Sequence, residues 1–269
     1  DKLTLEFNGE SPRLNSLIIE PVENVPTVYL CGNSTVVDYD NEPWGAWGQM
    51  IPRFFTDKVC IANHAESGLS ANTFISGNRL KKIMSQIKKG DYLLVEFGHN
   101  DQKQKQPGTG AYFSFVYNLK IFIDEVLVTP TCRRRFDKEG KSVNTHGEYP
   151  DAIRWVAQKE NVPLIELNGM TTMLCDALGV DGSMKLYVHY PAGTFPGQTR
   201  EFKDNSHFST YGAYETAKCV VEGMKKAKLD IANYLRADYK GFNPAQPDKF
   251  ETFKWNLCPF TEIEKPDGN

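Results

Sequence analysis

Paired cysteines, long apolar runs and net charge are all scarce in this chain of 269 residues. Its 6 cysteines, Cys31, Cys60, Cys132, Cys175, Cys219 and Cys258, are too sparse for a disulfide scaffold and lack the close spacing of a zinc site or redox motif. Cys31, Cys60 and Cys132 fall inside apolar runs and read as small core residues. No apolar run approaches the roughly 18–20 residues that span a bilayer, and the longest, such as Tyr92–Phe97, are strand length. With 31 Lys+Arg against 34 Asp+Glu, the net charge of −3 gives no electrostatic reason to expect nucleic acid or an anionic membrane as partner. Internal repeats and low-complexity tracts are absent. The stretch Asp1–Glu10 has no basic start followed by an apolar segment, so either the protein has no secretory signal or the sequence begins after its removal.

What remains is an ordinary globular composition, 40% hydrophobic and 24% charged, which fits neither a disordered chain nor a coiled coil. Short runs rich in Val, Ile, Leu and Tyr occur at Thr27–Cys31, Lys58–Ala62, Tyr92–Phe97, Val126–Thr129 and Pro163–Leu167. Between them lie amphipathic stretches at Trp47–Phe55, Asn78–Lys88, Phe115–Glu125 and Asp151–Lys159, and a last helix signal runs from Ser209 to Lys228 with Ser209 as its cap. Strand alternating with helix predicts a three-layer α/β/α sandwich around a central parallel sheet of about five strands. Residues 1–24 read as an N-terminal β extension, with Lys2–Val22 forming one or two strands as the tail of a preceding module. Residues 25–269 form the main domain, with a Pro- and aromatic-rich surface wrap from about residue 236. At Ile123-Asp124-Glu125 a helical face runs into Val126 without Gly, Pro or Asn, so either the helix ends early or a turn is missing between Glu125 and Val126.

In an open parallel sheet, ligands bind at the carboxyl ends of the strands. Polar residues collect there: Gly32-Asn33-Ser34-Thr35 after the first strand, Asn63 to Gly68 after the second, and Gly98-His99-Asn100-Asp101 after the third. Asp204-Asn205-Ser206-His207 precede the last helix, as one short loop. A serine hydroxyl becomes a nucleophile when imidazole takes its proton, and the imidazole needs a carboxylate to fix its tautomer. Ser34, His207 and Asp204 are those parts. The backbone N–H groups of Ser34 and Gly68 and the Asn100 amide are candidate oxyanion donors, each worth about 10²–10³ in rate. Taken singly, Gly-x-Ser is often a turn and Asp-x-x-His often a helix cap. Three such loops on one sheet edge, in a consistent order, outweigh those readings.

Four blocks resemble the SGNH or GDSL hydrolases, and within them the rhamnogalacturonan acetylesterase-like carbohydrate esterases: Gly32-Asn33-Ser34, Ser67-Gly68-Leu69-Ser70, Gly98-His99-Asn100-Asp101 and Asp204-Asn205-Ser206-His207. The resemblance covers roughly Pro26 to Met224, and Trp47-Gly48-Gln49-Met50 and His146-Gly147-Glu148-Tyr149-Pro150 also look like the acetylesterase branch. It implies Ser34 as nucleophile, His207 as base, Asp204 as its orienter, and Ser34, Gly68 and Asn100 as the oxyanion hole. It implies acetyl removal from pectic polysaccharide or oligosaccharide through an acyl-enzyme, no cofactor, and a secreted or periplasmic placement. One departure is Asn33, where the family usually has Asp; altered loop hydrogen bonding with retained activity is expected. Arg133 and Arg134, after the fourth strand, are candidates to grip a galacturonic acid carboxylate, unless they are a solvated basic run. His99 is expected to line the site, and His64, His146 and His189 to be structural or on the surface. The alternatives are an esterase for another acylated glycan or small acyl ester, and a non-catalytic glycan-binding module.

Overall fold

The computed structural model describes residues 5, 7, 11–40, 42–122 and 125–255. Five strands form one parallel sheet in the order β2-β1-β3-β4-β5: β1 Thr27–Cys31, β2 Cys60–Asn63, β3 Tyr92–Glu96, β4 Val126–Val128 and β5 Leu164–Ile165. These are the apolar runs of the sequence, and the order reverses direction beside β1. The crevice at that reversal is where such sheets bind ligands.

The strand residues alternate between two cores, as the two-residue period requires. Val28, Leu30, Leu94, Val126 and Val128 face one layer, with α1 Trp47–Met50, α6 Leu167–Gly182 and α7 Thr210–Lys226 over them. Tyr29, Cys31, Leu93, Val95 and Leu127 face the other, under α2 Ala71–Ser76, α3 Arg79–Met84, α4 Val116–Leu119 and α5 Tyr149–Glu160. Helices therefore cover both faces, as expected. Ser209 caps α7, its side chain accepting from the Gly212 N–H at 3.1 Å. Trp47, at 1% exposure, belongs to the core.

Several expectations need correction. Cys60 is exposed, because β2 is the edge strand; Cys31 and Cys132 are buried as expected. The stretch Ser11–Val22 contains no strand and is exposed, and the expected strand at its start lies largely outside the described residues. A sixth and a seventh strand, β6 Tyr187–Tyr190 and β7 Phe202–Phe208, form an antiparallel pair beside the main sheet. Asp204 and His207 sit on β7, not in a loop. Helix α4 ends early, at Leu119, and Lys120, Ile121 and Phe122 after it are not helical. After α7 the chain wraps back over it: the Tyr211 hydroxyl donates to the Asp248 carbonyl at 2.6 Å, and Phe242 and Phe253 pack on the core.

Candidate active site

The turn after β1 carries Ser34. Asn33 shapes it: the Asn33 carbonyl accepts the Val36 and Val37 N–H groups at 2.9 and 3.0 Å, and its Oδ1 accepts the Thr35 N–H at 3.1 Å. This Asx-type turn leaves the intervening Ser34 side chain at the sheet edge. Ser34 Oγ lies 2.9 Å from His207 Nε2, and His207 Nδ1 lies 2.7 Å from Asp204 Oδ2. The other carboxylate oxygen, Oδ1, accepts the Ser206 and His207 N–H groups at 2.7 and 3.0 Å. Burial pushes the Asp204 carboxyl up, but the His207 ring and these two N–H groups outweigh it and hold the pKa at about 2. A permanent carboxylate thus faces Nδ1, which keeps the proton there and leaves Nε2 free to accept one from the serine.

The glycine block and the third block are tied together by Asp101. Its Oδ1 accepts the Ala71 N–H at 2.9 Å and its Oδ2 the Gly98 N–H at 3.0 Å, which fixes the start of α2 against the end of β3. Burial raises this carboxyl to about 6 in spite of those bonds. Gly68 has φ +83°, a conformation that strains any residue with a Cβ, and the space its missing Cβ would occupy is open. Asn100 is held at both ends: its Nδ2 donates to the Leu69 carbonyl at 2.9 Å and its Oδ1 accepts from Lys103 Nζ at 2.8 Å. One Asn100 N–H remains available. Among the described residues the Ser34 and Gly68 N–H groups donate to no protein acceptor. Three unspent donors at the mouth of a serine–histidine–aspartate chain can stabilise a tetrahedral oxyanion.

No protein-family model matches the chain. It is 40% identical over 218 residues to the rhamnogalacturonan acetylesterase RhgT of Bacillus subtilis (strain 168), a match covering 77% of this chain and 93% of that protein. The chain belongs to the rhamnogalacturonan acetylesterase family. It is also 36% identical over 261 residues to the rhamnogalacturonan acetylesterase of Emericella nidulans, covering 86% of this chain and 98% of that one. Among solved structures it resembles the crystal structure of YxiM from Bacillus subtilis, with a TM-score of 0.66 and 27% identity over 76% of this chain and 57% of that chain. The α/β sandwich of GDSL (SGNH) hydrolases is therefore the fold.

Around Ser34 and His207 lies a cleft of about 370 Å³, lined also by Asn100, Lys103, Lys105 and Arg133 among others. His99, Gln102, Thr35 and Ser206 complete the lining, so among the described residues no acidic side chain lines it. Arg133 lies where the sequence put it. Its guanidinium donates to Gln102 Oε1 at 2.9 Å and to the Thr145 and His99 carbonyls at 3.2 Å each, all neutral acceptors. Arg134 does not line the cleft. Its side chain donates to Ser183 Oγ, Asn205 Oδ1 and the Val180 carbonyl at 3.1, 3.2 and 2.6 Å, and its own N–H donates to the Asn205 carbonyl at 2.8 Å. It braces the strand that carries the aspartate and histidine.

His99 does line the cleft and is buried. Its Nε2 meets Thr131 Oγ1 at 3.1 Å and its Nδ1 meets His146 Nε2 at 3.2 Å. Burial, then the charges of neighbours including Arg133, hold it well below its ordinary value, and burial takes His146 to about 3, so both rings are neutral. His189 lies outside the cleft and holds Asn205 Oδ1 at 2.9 Å. The sequence reading missed Lys103, Lys105 and Gln102, although their place directly after Asn100-Asp101 on the active edge was a usable signal. Among the described residues no group of His, Cys, Asp and Glu could hold a metal ion, and no helix is long and apolar enough to cross a membrane.

Proposed function

We propose that the protein is a serine esterase that removes acetyl groups from rhamnogalacturonan-type pectic polysaccharide. The observation that carries this is the continuous chain from Ser34 Oγ through His207 to Asp204, at 2.9 and 2.7 Å, which meets the cleft at Ser34 and His207. Ser34 attacks the acetyl carbonyl while His207 Nε2 takes its proton. The oxyanion forms against the Ser34 and Gly68 N–H groups and the Asn100 amide. His207 then returns the proton to the departing sugar oxygen, leaving an acetyl-serine. Water, deprotonated by the same nitrogen, releases acetate and restores the hydroxyl.

The cleft's charge supports an acidic sugar next to the ester. Arg133, Lys103 and Lys105 present three cations, and no lining residue presents a carboxylate. A galacturonic acid carboxylate would find Arg133 already braced by neutral acceptors, so its charge is not spent within the protein. The curated relatives carry rhamnogalacturonan in their names, which points to the same class. A polymeric plant substrate also supports action outside the cell, in polysaccharide degradation.

The test is acetate release from acetylated rhamnogalacturonan by the native protein and by Ser34→Ala, with circular dichroism as a check on folding. Loss of release in a folded Ser34→Ala is expected. Full activity in that variant overturns the reading. A panel including acetylated xylan separates the substrates, and a preference for the neutral xylan would overturn the assignment to an acidic sugar.

A further inference from the structure

Glu96, the last residue of β3, lies beneath the nucleophile turn with no exposed surface. From the β1 turn, Thr35 Oγ1 lies 2.9 Å from its Oε1. From α1, Trp47 Nε1 donates to its Oε2. From the loop after β4, the Thr131 N–H donates to Oε1 at 3.3 Å. The only titratable group facing it among the described residues is His99, whose Nε2 lies 3.9 Å from Oε1 and whose ring is neutral. No Lys or Arg among the described residues pairs with this carboxyl. A buried carboxylate with no cation is a costly arrangement, and a carboxylic acid is not.

The Thr35 hydroxyl decides between the two. It has one proton and two oxygen neighbours, Glu96 Oε1 at 2.9 Å and Asn33 Oδ1 at 3.1 Å. The Asn33 amide cannot be turned round, because its Oδ1 accepts the Thr35 N–H at 3.1 Å and an NH₂ there would oppose that donor. If Thr35 gives its proton to Asn33, an ionised Glu96 would face a hydroxyl lone pair. If Thr35 gives it to Glu96, Asn33 Oδ1 would face that lone pair instead. A proton on Glu96 Oε1 satisfies every contact: Glu96 donates to Thr35, and Thr35 donates to Asn33. The Trp47 N–H donates to the carbonyl oxygen Oε2, and the Thr131 N–H to Oε1.

We infer that Glu96 is a positioning residue that works as a neutral carboxylic acid, its proton heading a relay through Thr35 to Asn33 that sets the turn carrying Ser34. Burial raises this carboxyl to about 7, against hydrogen bonds that lower it, which agrees with that state. The relay also gives Asn33 a reason: it offers the acceptor that an Asp would, without a second negative charge beside Glu96. The inference rests on the esterase reading only for the purpose of the turn. The protonation state stands apart from it.

The experiment compares native protein with Glu96→Gln by infrared difference spectroscopy near pH 5.5, with melting temperature followed from pH 4.5 to 8. Subtracting the variant isolates Glu96 from Asp101 and Glu215, two other buried carboxyls with a raised pKa. A protonated-carboxyl C=O band present in the native protein and absent from the variant is expected. With a folded value of about 7 above the ordinary 4.5, the stability Glu96 lends is full below 4.5 and is lost as pH rises through about 7. The native protein should therefore lose melting temperature over that window, relative to Glu96→Gln. Thr35→Val, which breaks the relay, should lower kcat on a small acetyl ester at least ~10-fold with KM little changed, since the nucleophile is misaimed and not removed. Absence of the band, or parallel melting curves for the two proteins, overturns the inference, as does unchanged kcat in Thr35→Val. If the native protein released no acetate, the esterase reading would fall while the band and the melting curves still reported the proton.

Discussion

The Asp204 carboxylate and the His207 ring meet at 2.7 Å although both residues belong to one strand and stand three positions apart. In a regular strand that separation is about 10 Å, with the side chains on opposite faces. The register explains the meeting. His189 pairs with Lys203 and Tyr187 with Phe208, so Val188 alone stands opposite the four residues 204–207. The bulge folds the aspartate back onto the histidine, and Arg134 and His189 pin its crest through Asn205. Asp204→Asn keeps an acceptor for the bulge N–H groups but removes the charge that orients the imidazole. It should lower kcat by about 10³–10⁴ while KM and melting temperature stay close to native. Steady-state kinetics on an activated acetyl ester check this, and a loss below tenfold would show that the carboxylate does not orient the base.

The oxyanion donors differ in what removes them. Asn100→Ala deletes one donor and should cost about 10²–10³ in kcat with little change in KM. Gly68→Ala keeps its N–H but forces a Cβ onto a residue at φ +83°, at a cost of roughly 1–2 kcal/mol. The added methyl would meet no protein atom and would stand in open space. Its expected signature is a lower melting temperature together with weaker turnover. Equal kcat in both variants and the native protein would exclude these groups from the reaction.

Arg133 and Arg134 are neighbours with separable roles. Arg133→Gln removes a cleft cation held by neutral acceptors, so KM for acetylated rhamnogalacturonan should rise by roughly tenfold, about what a charge-assisted hydrogen bond is worth. A small neutral acetyl ester should be turned over as before. Arg134→Ala cuts the side-chain bond to Asn205 of β7 and the two to Ser183 and Val180 that anchor it, so both substrates should suffer and the melting temperature should fall by several degrees. The reverse pattern would exchange the two assignments.

The sheet was legible because its strands are buried on both faces and read as apolar runs such as Tyr92-Leu93-Leu94-Val95. The serine turn and the glycine block were legible through their fixed places after those strands. The hairpin was not. Phe202–Phe208 carries Lys, Asp, Asn and Ser at consecutive positions, residues that strands disfavour, and eleven residues separate it from β6. Its strand character comes from pairing with β6, and its distorted register is what the chemistry uses. Helix α6 escaped notice because it holds Gly169 and Gly179, poor helix formers; Gly179 lies at φ 69°, inside the helix as a kink. Arg134 was misread because sequence gives the sheet edge on which a side chain starts but not the direction in which it leaves.

Acid sensitivity can be assigned to a residue outside the site. His64 is buried against Tyr29, and burial together with Lys82 and Arg79 lowers its pKa from 6.5 to about 4. A histidine kept neutral by the fold lends stability above its ordinary value, and that stability is lost as pH falls through the lowered one. The native protein should therefore lose folding free energy between about pH 6.5 and 4 through this ring. Glu96 works in the opposite sense over much of the same window, so the native pH curve alone mixes the two. His64→Gln separates them, since it removes one proton uptake and leaves Glu96 unchanged. Denaturant unfolding at pH 7 and pH 4.5 should show that stability falls less, or rises more, on going to pH 4.5 in His64→Gln than in the native protein. An equal difference would mean that His64 does not gain a proton on unfolding, and would move the acid sensitivity to the His99–His146 pair.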